Sequence, residues 1–158
     1  MNKRLTFLLV GSHTAALAVG FVIGVYALPI LTAPPSPTDM EIRGAASDAI
    51  FTATFRRDLR GSDRLHWGEG TVSIGARSIS LDGSLAPGPD YKLYLSPEFV
   101  ETEADFLRLK AQMIRIGDVR TFDDFLVPLP SGVDPTDYTT VIVWCESFSQ
   151  FITAAKYR

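Results

Sequence analysis

Two side chains of this sequence stand out as candidates for chemistry: its single cysteine and its only histidine outside the N-terminal segment. Cys145 lies between Trp144 and Glu146 in the stretch TTVIVWCESF, and His66 lies in LHWGEG. A thiolate is a nucleophile, a redox group and a metal ligand. Imidazole serves near neutral pH as a base or as a second metal ligand. Cys145 and His66 are therefore the first candidates for a catalytic or redox site.

The surroundings of Cys145 also fit a purely structural residue. Alternation along an extended strand places Val141, Val143 and Cys145 on one face and Ile142, Trp144 and Glu146 on the other. Five consecutive apolar residues are typical of a strand buried on both faces, where a free cysteine behaves as a small hydrophobe. Glu146 is negative, so a stable thiolate needs a cation from elsewhere in the fold. The residue types alone leave both interpretations open.

The sequence contains no signature of a known cofactor site. There is no C-x-x-C-H motif for haem, no strand–glycine loop–helix fingerprint for flavin or nicotinamide, and no G-x-S-x-G motif for a hydrolase. One cysteine and one histidine cannot complete a closed zinc site. Cys145 and His66 are thus only weak metal candidates, as part of a copper site that Met40 or Met113 would join. The cofactor stays unknown. Whether the domain turns over a substrate is open, and a redox module without turnover is favoured over an enzyme.

Residues 1–32 have the composition of a membrane anchor. No charged side chain occurs from Leu5 to Thr38, and Leu5–Leu31 is almost entirely apolar or small. About 20 apolar residues cross a bilayer as a helix, whereas the apolar core of a cleaved signal peptide has about 7–15. The length favours an uncleaved anchor, and cleavage near Leu31-Thr32-Ala33 is the alternative.

The charges predict an orientation and exclude one class of partner. Lys3 and Arg4 precede the apolar segment, and the first charges after it are Asp39 and Glu41. The positive-inside rule therefore predicts a cytoplasmic N-terminus and an outer domain, which is periplasmic in a bacterium. Two of the 15 Lys and Arg residues lie in the anchor. The rest of the chain therefore has 13 Lys and Arg residues and 18 Asp and Glu residues, a net charge of −5. Such a domain repels phosphate backbones, so we expect no nucleic-acid partner.

The anchor also carries a helix-packing pattern. Gly20 and Gly24 match the small-xxx-small motif, which predicts dimerisation of the anchor helix or its assembly with another membrane protein. His13 lies in the same segment, and a neutral imidazole near the interface explains it.

After the Pro-rich linker 33–44, residues 45–158 read as one mostly β domain. Eight short stretches are rich in alternating β-branched and aromatic residues: 50–55, 71–75, 78–82, 91–95, 112–116, 125–127, 138–145 and 151–157. Turn residues separate them, which predicts an all-β sandwich or barrel of about eight antiparallel strands. The turn Gly88-Pro89-Asp90 reads as a hairpin. One short helix is expected after Thr102, with Phe106 and Leu109 facing the sheet, to cover an open end of the barrel.

The order of these motifs resembles the DM-thirteen family, a proposed electron-transfer domain that also occurs alone in bacteria. The resemblance spans Ile50 to Tyr157, and the segment Glu98–Lys110 departs from the shorter animal pattern. It is carried by Phe55, His66 with Gly70, Val72/Ile74, Ile79/Leu81, Gly88-Pro89-Asp90-Tyr91, Ile116-Gly117-Asp118-Val119, Val133-Asp134, Tyr138, Val143-Trp144-Cys145-Glu146-Ser147-Phe148, Phe151 and Ala154/Ala155.

The resemblance implies a membrane-tethered redox module of the bacterial inner membrane with Cys145 at its centre. In that hypothesis His66 tunes the thiol and Trp144 shields it. Two alternatives stay open. One is a binding or scaffold domain in which Cys145 is a core residue and the Gly88–Tyr94 region meets a partner. The other is an accessory protein assembled through Gly20 and Gly24.

Overall fold

A computed structural model describes residues 2–158, so Met1 of the expected anchor lies outside the described residues. Eight strands form two four-stranded antiparallel sheets, preceded by a long apolar helix. The helices are α1 (Lys3–Thr32), α2 (Asp39–Ser47) and α3 (Glu103–Leu109). The strands are β1 (Ala49–Phe55), β2 (Gly68–Gly75), β3 (Ser78–Leu85), β4 (Tyr91–Ser96), β5 (Ile114–Val119), β6 (Asp123–Pro128), β7 (Thr140–Cys145) and β8 (Gln150–Lys156).

The two sheets pack face to face as a sandwich, which confirms the predicted fold class. The first sheet has the order β1-β2-β3-β6 and the second the order β5-β4-β7-β8. β1 lies against β8 and β5 against β6, so both edges of the sandwich are closed. The space between the sheets holds the main core, in which Leu81, Leu93 and Val143 are fully buried. Burial of such apolar surface, at about 25 cal/mol per Å², is the main force that holds the sheets together.

A second apolar cluster lies on the outer face of the second sheet, beneath α3. The Phe106 ring stacks on Trp144 with a centroid distance of 3.9 Å, and Leu109 is buried beside it. Thr102 caps the helix, because its hydroxyl accepts a hydrogen bond from the Asp105 amide at 3.2 Å. The predicted helix and its buried residues are therefore confirmed. Its expected position is wrong, since α3 covers the face of a sheet and not an open end.

The structure contains one helix that the sequence patterns did not predict. α2 begins within the segment assigned as linker and lies against β2, β3 and β6 through Ile42. Thr38 and Glu41 form a reciprocal capping box at its start, with the Glu41 carboxylate accepting from the Thr38 amide at 2.8 Å. Only residues 33–38 thus remain extended between α1 and the rest of the chain.

α1 is one continuous helix of 30 residues with no buried residue. Its length and its mean hydropathy of 2.1 over an 18-residue window are sufficient to cross a membrane. Pro29 lies inside the helix near its C-terminal end.

Candidate functional site

Cys145 ends β7, and its side chain faces the space between the sheets. Val141 and Val143 share this face, whereas Ile142 and Trp144 belong to the cluster beneath α3. All six residues of β7 are buried, so the predicted alternation and the burial on both faces are confirmed. The thiol itself is 2% exposed.

Tyr91 stands directly opposite Cys145 on the neighbouring strand β4. Its ring is 3% exposed and meets Phe122 edge-on, with a centroid distance of 6.0 Å. Burial raises the pKa of the Tyr91 hydroxyl, and the nearby Cys145 adds to this effect. No hydrogen bond contributes to that shift, so the hydroxyl has no partner among residues 2–158.

The environment of the thiol favours its neutral form. Burial is the largest influence and raises the pKa of Cys145. Backbone hydrogen bonds from Phe148, Asp90 and Ser147 act in the opposite direction but do not overcome it. Ser147 and Phe148 lie in the turn after β7, whereas Asp90 directly precedes β4.

A group of charged and polar side chains holds this turn in place. The Ser147 hydroxyl donates to Asp90 at 2.8 Å, and the Asp90 carbonyl accepts from the Glu146 amide at 3.0 Å. Lys92 lies 2.6 Å from Asp90 and 3.0 Å from Asp118. These contacts tie the ends of β4, β5 and β7 together, and they fix the backbone amides that surround Cys145.

His66 is oriented by Asp63 in the loop before β2. The imidazole Nδ1 donates to the Asp63 carboxylate at 3.0 Å, and the same carboxylate accepts from the backbone amides of Leu65 and His66. These bonds lower the pKa of Asp63, the one from the imidazole most strongly. With Nδ1 engaged, Nε2 is the nitrogen left for other partners.

One cavity of about 530 Å³ brings the two predicted residues together. His66, Tyr91 and Cys145 all line this cavity. The remaining wall of the domain is mostly apolar and is made by Leu65, Pro87, Pro89, Phe148 and Ile152. A histidine, a phenol and a thiol that are far apart in the sequence thus line one mostly apolar cavity. Their roles in any reaction stay predictions.

The last wall of this cavity comes from α1. Phe21, Val22, Val25 and Tyr26 line the space opposite the domain, although none of the four is buried. Leu65 and Phe148 lie at the same cavity and are still 59% and 53% exposed. The cavity is therefore formed between the apolar helix and the β domain.

Trp144 and Glu146 lie on the far side of the second sheet from the thiol. Trp144 stacks under α3, so the expectation that it shields Cys145 is wrong. Tyr94 donates a short hydrogen bond to Glu146, and the Lys110 ammonium donates to the same carboxylate at 2.8 Å. Burial alone would raise the pKa of Glu146, but the bonds from Lys110 and Tyr94 outweigh it and the pKa is lowered. The negative charge that follows Cys145 is thus paired and faces away from it.

The two methionines considered as copper ligands do not line the cavity. Met40 is 76% exposed on α2, and Met113 packs at the cluster beneath α3. Within residues 2–158, no group of three or more His, Cys, Asp and Glu side chains is arranged to hold a metal ion. Cys145 and His66 share a cavity, but neither methionine joins them there.

The segment Gly88-Pro89-Asp90 is not a hairpin turn as predicted. It belongs to the connection that leads from β3 in the first sheet to β4 in the second. A side chain at Gly88 would meet the Tyr91 hydroxyl at 2.4 Å, so the glycine makes room for that ring. The connection is therefore a wall of the cavity.

Gly70, four residues after His66, has a backbone reason to be glycine. Its φ is +123°, and a Cβ there would lie 2.3 Å from the Asp82 carbonyl oxygen on β3. It pairs with Gly83 across the ladder, where the two backbones approach closely. The H-x-x-x-G motif therefore has His66 in the loop before β2 and, four residues later, the glycine at which β2 and β3 approach closely.

Comparison with known proteins gives one match. The family model described as Electron transfer DM13 matches residues 55–157, which is more than half of the chain and includes His66, Tyr91 and Cys145. No curated protein and no solved structure shows a significant match.

Proposed function

Because the chain belongs to the electron transfer DM13 family, we propose that it is a membrane-tethered redox module whose reactive group is Cys145. The observation that supports this most is the shared cavity: the only thiol, the Asp63-bound His66 and the unpartnered Tyr91 hydroxyl line the same space. A cysteine that served only as core filler would need neither a cavity nor ionisable neighbours.

The chemistry proposed for Cys145 is reversible thiol oxidation. His66 accepts the thiol proton through Nε2, and the backbone amides after β7 stabilise the thiolate. The thiolate attacks a disulfide of a redox partner, so one partner sulfur bonds to Cys145 and the other leaves as a thiolate. Cys145 is oxidised, the leaving sulfur is reduced, and a second thiol reverses the step. Oxidation to a sulfenate by a peroxide is the other route.

The tether places this module at a membrane surface. α1 spans the bilayer with Lys3 and Arg4 on the cytoplasmic side, and the β domain lies in the periplasm of a bacterium. Residues 33–38 span at most roughly 19 Å as a Pro-rich extended linker, so the domain stays beside the lipid. Gly20 and Gly24 on α1 offer a surface for a second helix, because a Cβ at either position would meet nothing.

The test is the reactivity of Cys145 in the full-length protein in lipid nanodiscs. A small maleimide is added to native and to denatured protein, and the native protein is titrated in dithiol/disulfide buffers, with mass spectrometry as the readout. We expect native Cys145 to react and to form a reversible mixed disulfide. Reaction only after denaturation, with no oxidised form at any buffer potential, would overturn the proposal.

One observation favours a second candidate function. Cys145 packs in the main core beside Val143, and its pKa is raised, as for a structural cysteine. In that case the domain is a non-catalytic binding module and the cavity is its ligand site. Native Cys145 would then stay inert towards disulfides while the domain still binds its partner, whereas in a redox module it forms the mixed disulfide.

A further inference from the structure

The cavity that holds Cys145 has the composition of a site for an apolar ligand with a polar head. Its walls are apolar on both sides, from Pro87, Pro89 and Phe148 in the domain to Val22 and Val25 in α1. A cavity of about 530 Å³ is within the usual size of small-molecule sites, roughly 300–1,000 Å³. The ligand class must therefore be largely hydrocarbon or aromatic.

Tyr91 and His66 are two of the polar side chains that line this cavity, together with Tyr26, Gln150 and Cys145. The Tyr91 side chain is 3% exposed, and its hydroxyl lacks a hydrogen-bond partner within residues 2–158. Because the Tyr91 side chain lines the cavity, a ligand oxygen there would accept a hydrogen bond from its hydroxyl. The His66 imidazole has Nδ1 engaged by Asp63, which leaves Nε2 to accept or donate a proton. Hydrogen-bonding groups in a mostly apolar space suit a flat ring that carries oxygen atoms.

The position of the cavity relative to the bilayer indicates whether its ligand comes from the lipid or from the aqueous phase. α1 is about 45 Å long, whereas the hydrocarbon layer is about 30 Å thick. With Lys3 and Arg4 at the cytoplasmic face, about 20 residues after them fill the hydrocarbon. The cavity wall of Phe21 to Tyr26 therefore lies at the outer boundary of the lipid, where tyrosine is favoured. The cavity opens at the depth that a lipid-dissolved molecule can reach.

From these observations we propose that the cavity binds a membrane-dissolved quinone. One ring oxygen accepts from the Tyr91 hydroxyl, the other exchanges a hydrogen bond with His66, and the isoprenoid tail leaves along α1. This inference rests on the proposed membrane-tethered redox module and names the ligand class of its cavity. It requires no change in the β domain, since the space already exists.

The test is photoaffinity labelling of the full-length protein in nanodiscs with an azidoquinone, followed by mass spectrometry of the labelled peptides. Val25→Trp fills the cavity from α1 and leaves the β domain unaltered. Val10→Trp is the matched control, because it places the same side chain on an exposed part of α1 away from the cavity. We expect label on the peptides around Pro87–Tyr91 and Phe148. Excess unlabelled quinone should displace this label. In Val25→Trp the labelling yield should fall about tenfold, which corresponds to a loss of about 1.4 kcal/mol of binding free energy.

The proposal would be overturned if excess unlabelled quinone failed to displace the label. Such a result would mean that the cavity is a general apolar space filled by lipid acyl chains. Equal labelling in Val25→Trp and Val10→Trp would overturn it too. The thiol chemistry is assessed separately by maleimide and redox titration. Reversible oxidation without displaceable label defeats the quinone site alone, and displaceable label with an inert thiol defeats the redox role of Cys145.

Discussion

Tyr91 and Cys145 face each other across β4 and β7, and both side chains enter the same apolar cavity. Burial raises the pKa of each group above its ordinary value. The phenol and the thiol are therefore neutral at physiological pH, and each would carry a charge only if something polar approached from the cavity. The reactivity of this pair therefore depends on what enters the cavity.

The raised pKa of Cys145 predicts a loss of stability at alkaline pH. Between the thiol's ordinary pKa of about 8.5 and its higher value in the folded protein, the folded state binds more protons than the unfolded state. The free energy of unfolding should therefore fall as the pH rises through this range. Denaturant unfolding from pH 8 to about pH 10 measures how steeply the free energy of unfolding depends on pH. This dependence should be weaker in Cys145→Ala than in the wild type. Equal slopes in the two proteins would show that burial does not hold the thiol neutral.

The paired carboxylate of Glu146 predicts the opposite dependence in acid. Its pKa is lowered, so its stabilising effect is present above the ordinary glutamate value of about 4.3 and is lost as the pH falls below it. Lys110→Met removes one of the two bonds that lower this pKa. We expect acid unfolding to begin at a higher pH and the protein to lose about 1 kcal/mol at neutral pH, a value limited by solvent because Lys110 is 39% exposed.

The control for this prediction is Arg108→Met, at the end of α3 and two residues before Lys110. Arg108 lies 3.5 Å from Glu98, and both side chains are more than half exposed, so this pair should contribute nothing measurable. A shift of the acid midpoint in Arg108→Met equal to that in Lys110→Met would mean that net charge on α3, and not the Glu146 pair, sets the acid stability.

The close approach of β2 and β3 predicts a strong effect at Gly70. Gly70→Ala adds a Cβ 2.3 Å from the Asp82 carbonyl oxygen at a φ of +123°, and we expect a loss of roughly 2–4 kcal/mol. Gly132→Ala is the matched control, since its φ is also positive, +86°, but nothing lies within 4 Å. It should cost only about 1 kcal/mol of backbone strain. Chemical denaturation measures both, and equal losses would show that contact with Asp82 is not the cause.

The strands and α3 could be predicted from the sequence because their patterns are local. Val141, Val143 and Cys145 alternate with Ile142 and Trp144, and this pattern alone gives both the strand and its two buried faces. Thr102 and Phe106 likewise mark a capped helix with one apolar side. α2 escaped prediction because it buries only Ile42 and follows a run of prolines. The T-x-x-E spacing of Thr38 and Glu41 was the signal that could have revealed it.

The composition of the site could not be predicted in full, because it depends on pairings far apart in the chain. Asp63 contacts His66 locally, and the D-x-x-H spacing in an exposed loop was available as a signal. Tyr91 faces Cys145 only because β4 and β7 are neighbours in the second sheet, and no local pattern specifies that order. The position of Trp144 away from the thiol follows from strand alternation, but its cover by Phe106 depends on where α3 packs.

The capping box of α2 offers a test of how the domain is held next to its linker. Thr38→Ala removes the hydroxyl that accepts from the Glu41 amide, and we expect a loss of about 1 kcal/mol. Hydrogen exchange should show the loss in residues 39–47, whereas the strands stay protected. Thr136→Ala is the control, because Thr136 lies in a one-turn 3-10 helix that Asp134 caps through the Thr136 backbone amide, which the substitution keeps. Uniform loss of protection across the β domain would mean that α2 is part of the global unfolding unit.

The last prediction tests whether His66 acts on Cys145. If Nε2 takes the thiol proton, the resulting imidazolium favours the thiolate, so His66→Gln should move the pH midpoint of Cys145 alkylation upward and slow the reaction at neutral pH. Asp63→Asn should act in the same direction but less, because it keeps the imidazole and removes only the carboxylate that orients it. Arg64→Gln is the control, since it alters an exposed charge in the same loop. A general electrostatic effect of the loop would shift the midpoint in all three variants. A direct role of His66 leaves Arg64→Gln at the wild-type midpoint, while the unfolding free energies of all the proteins stay close to that of the wild type.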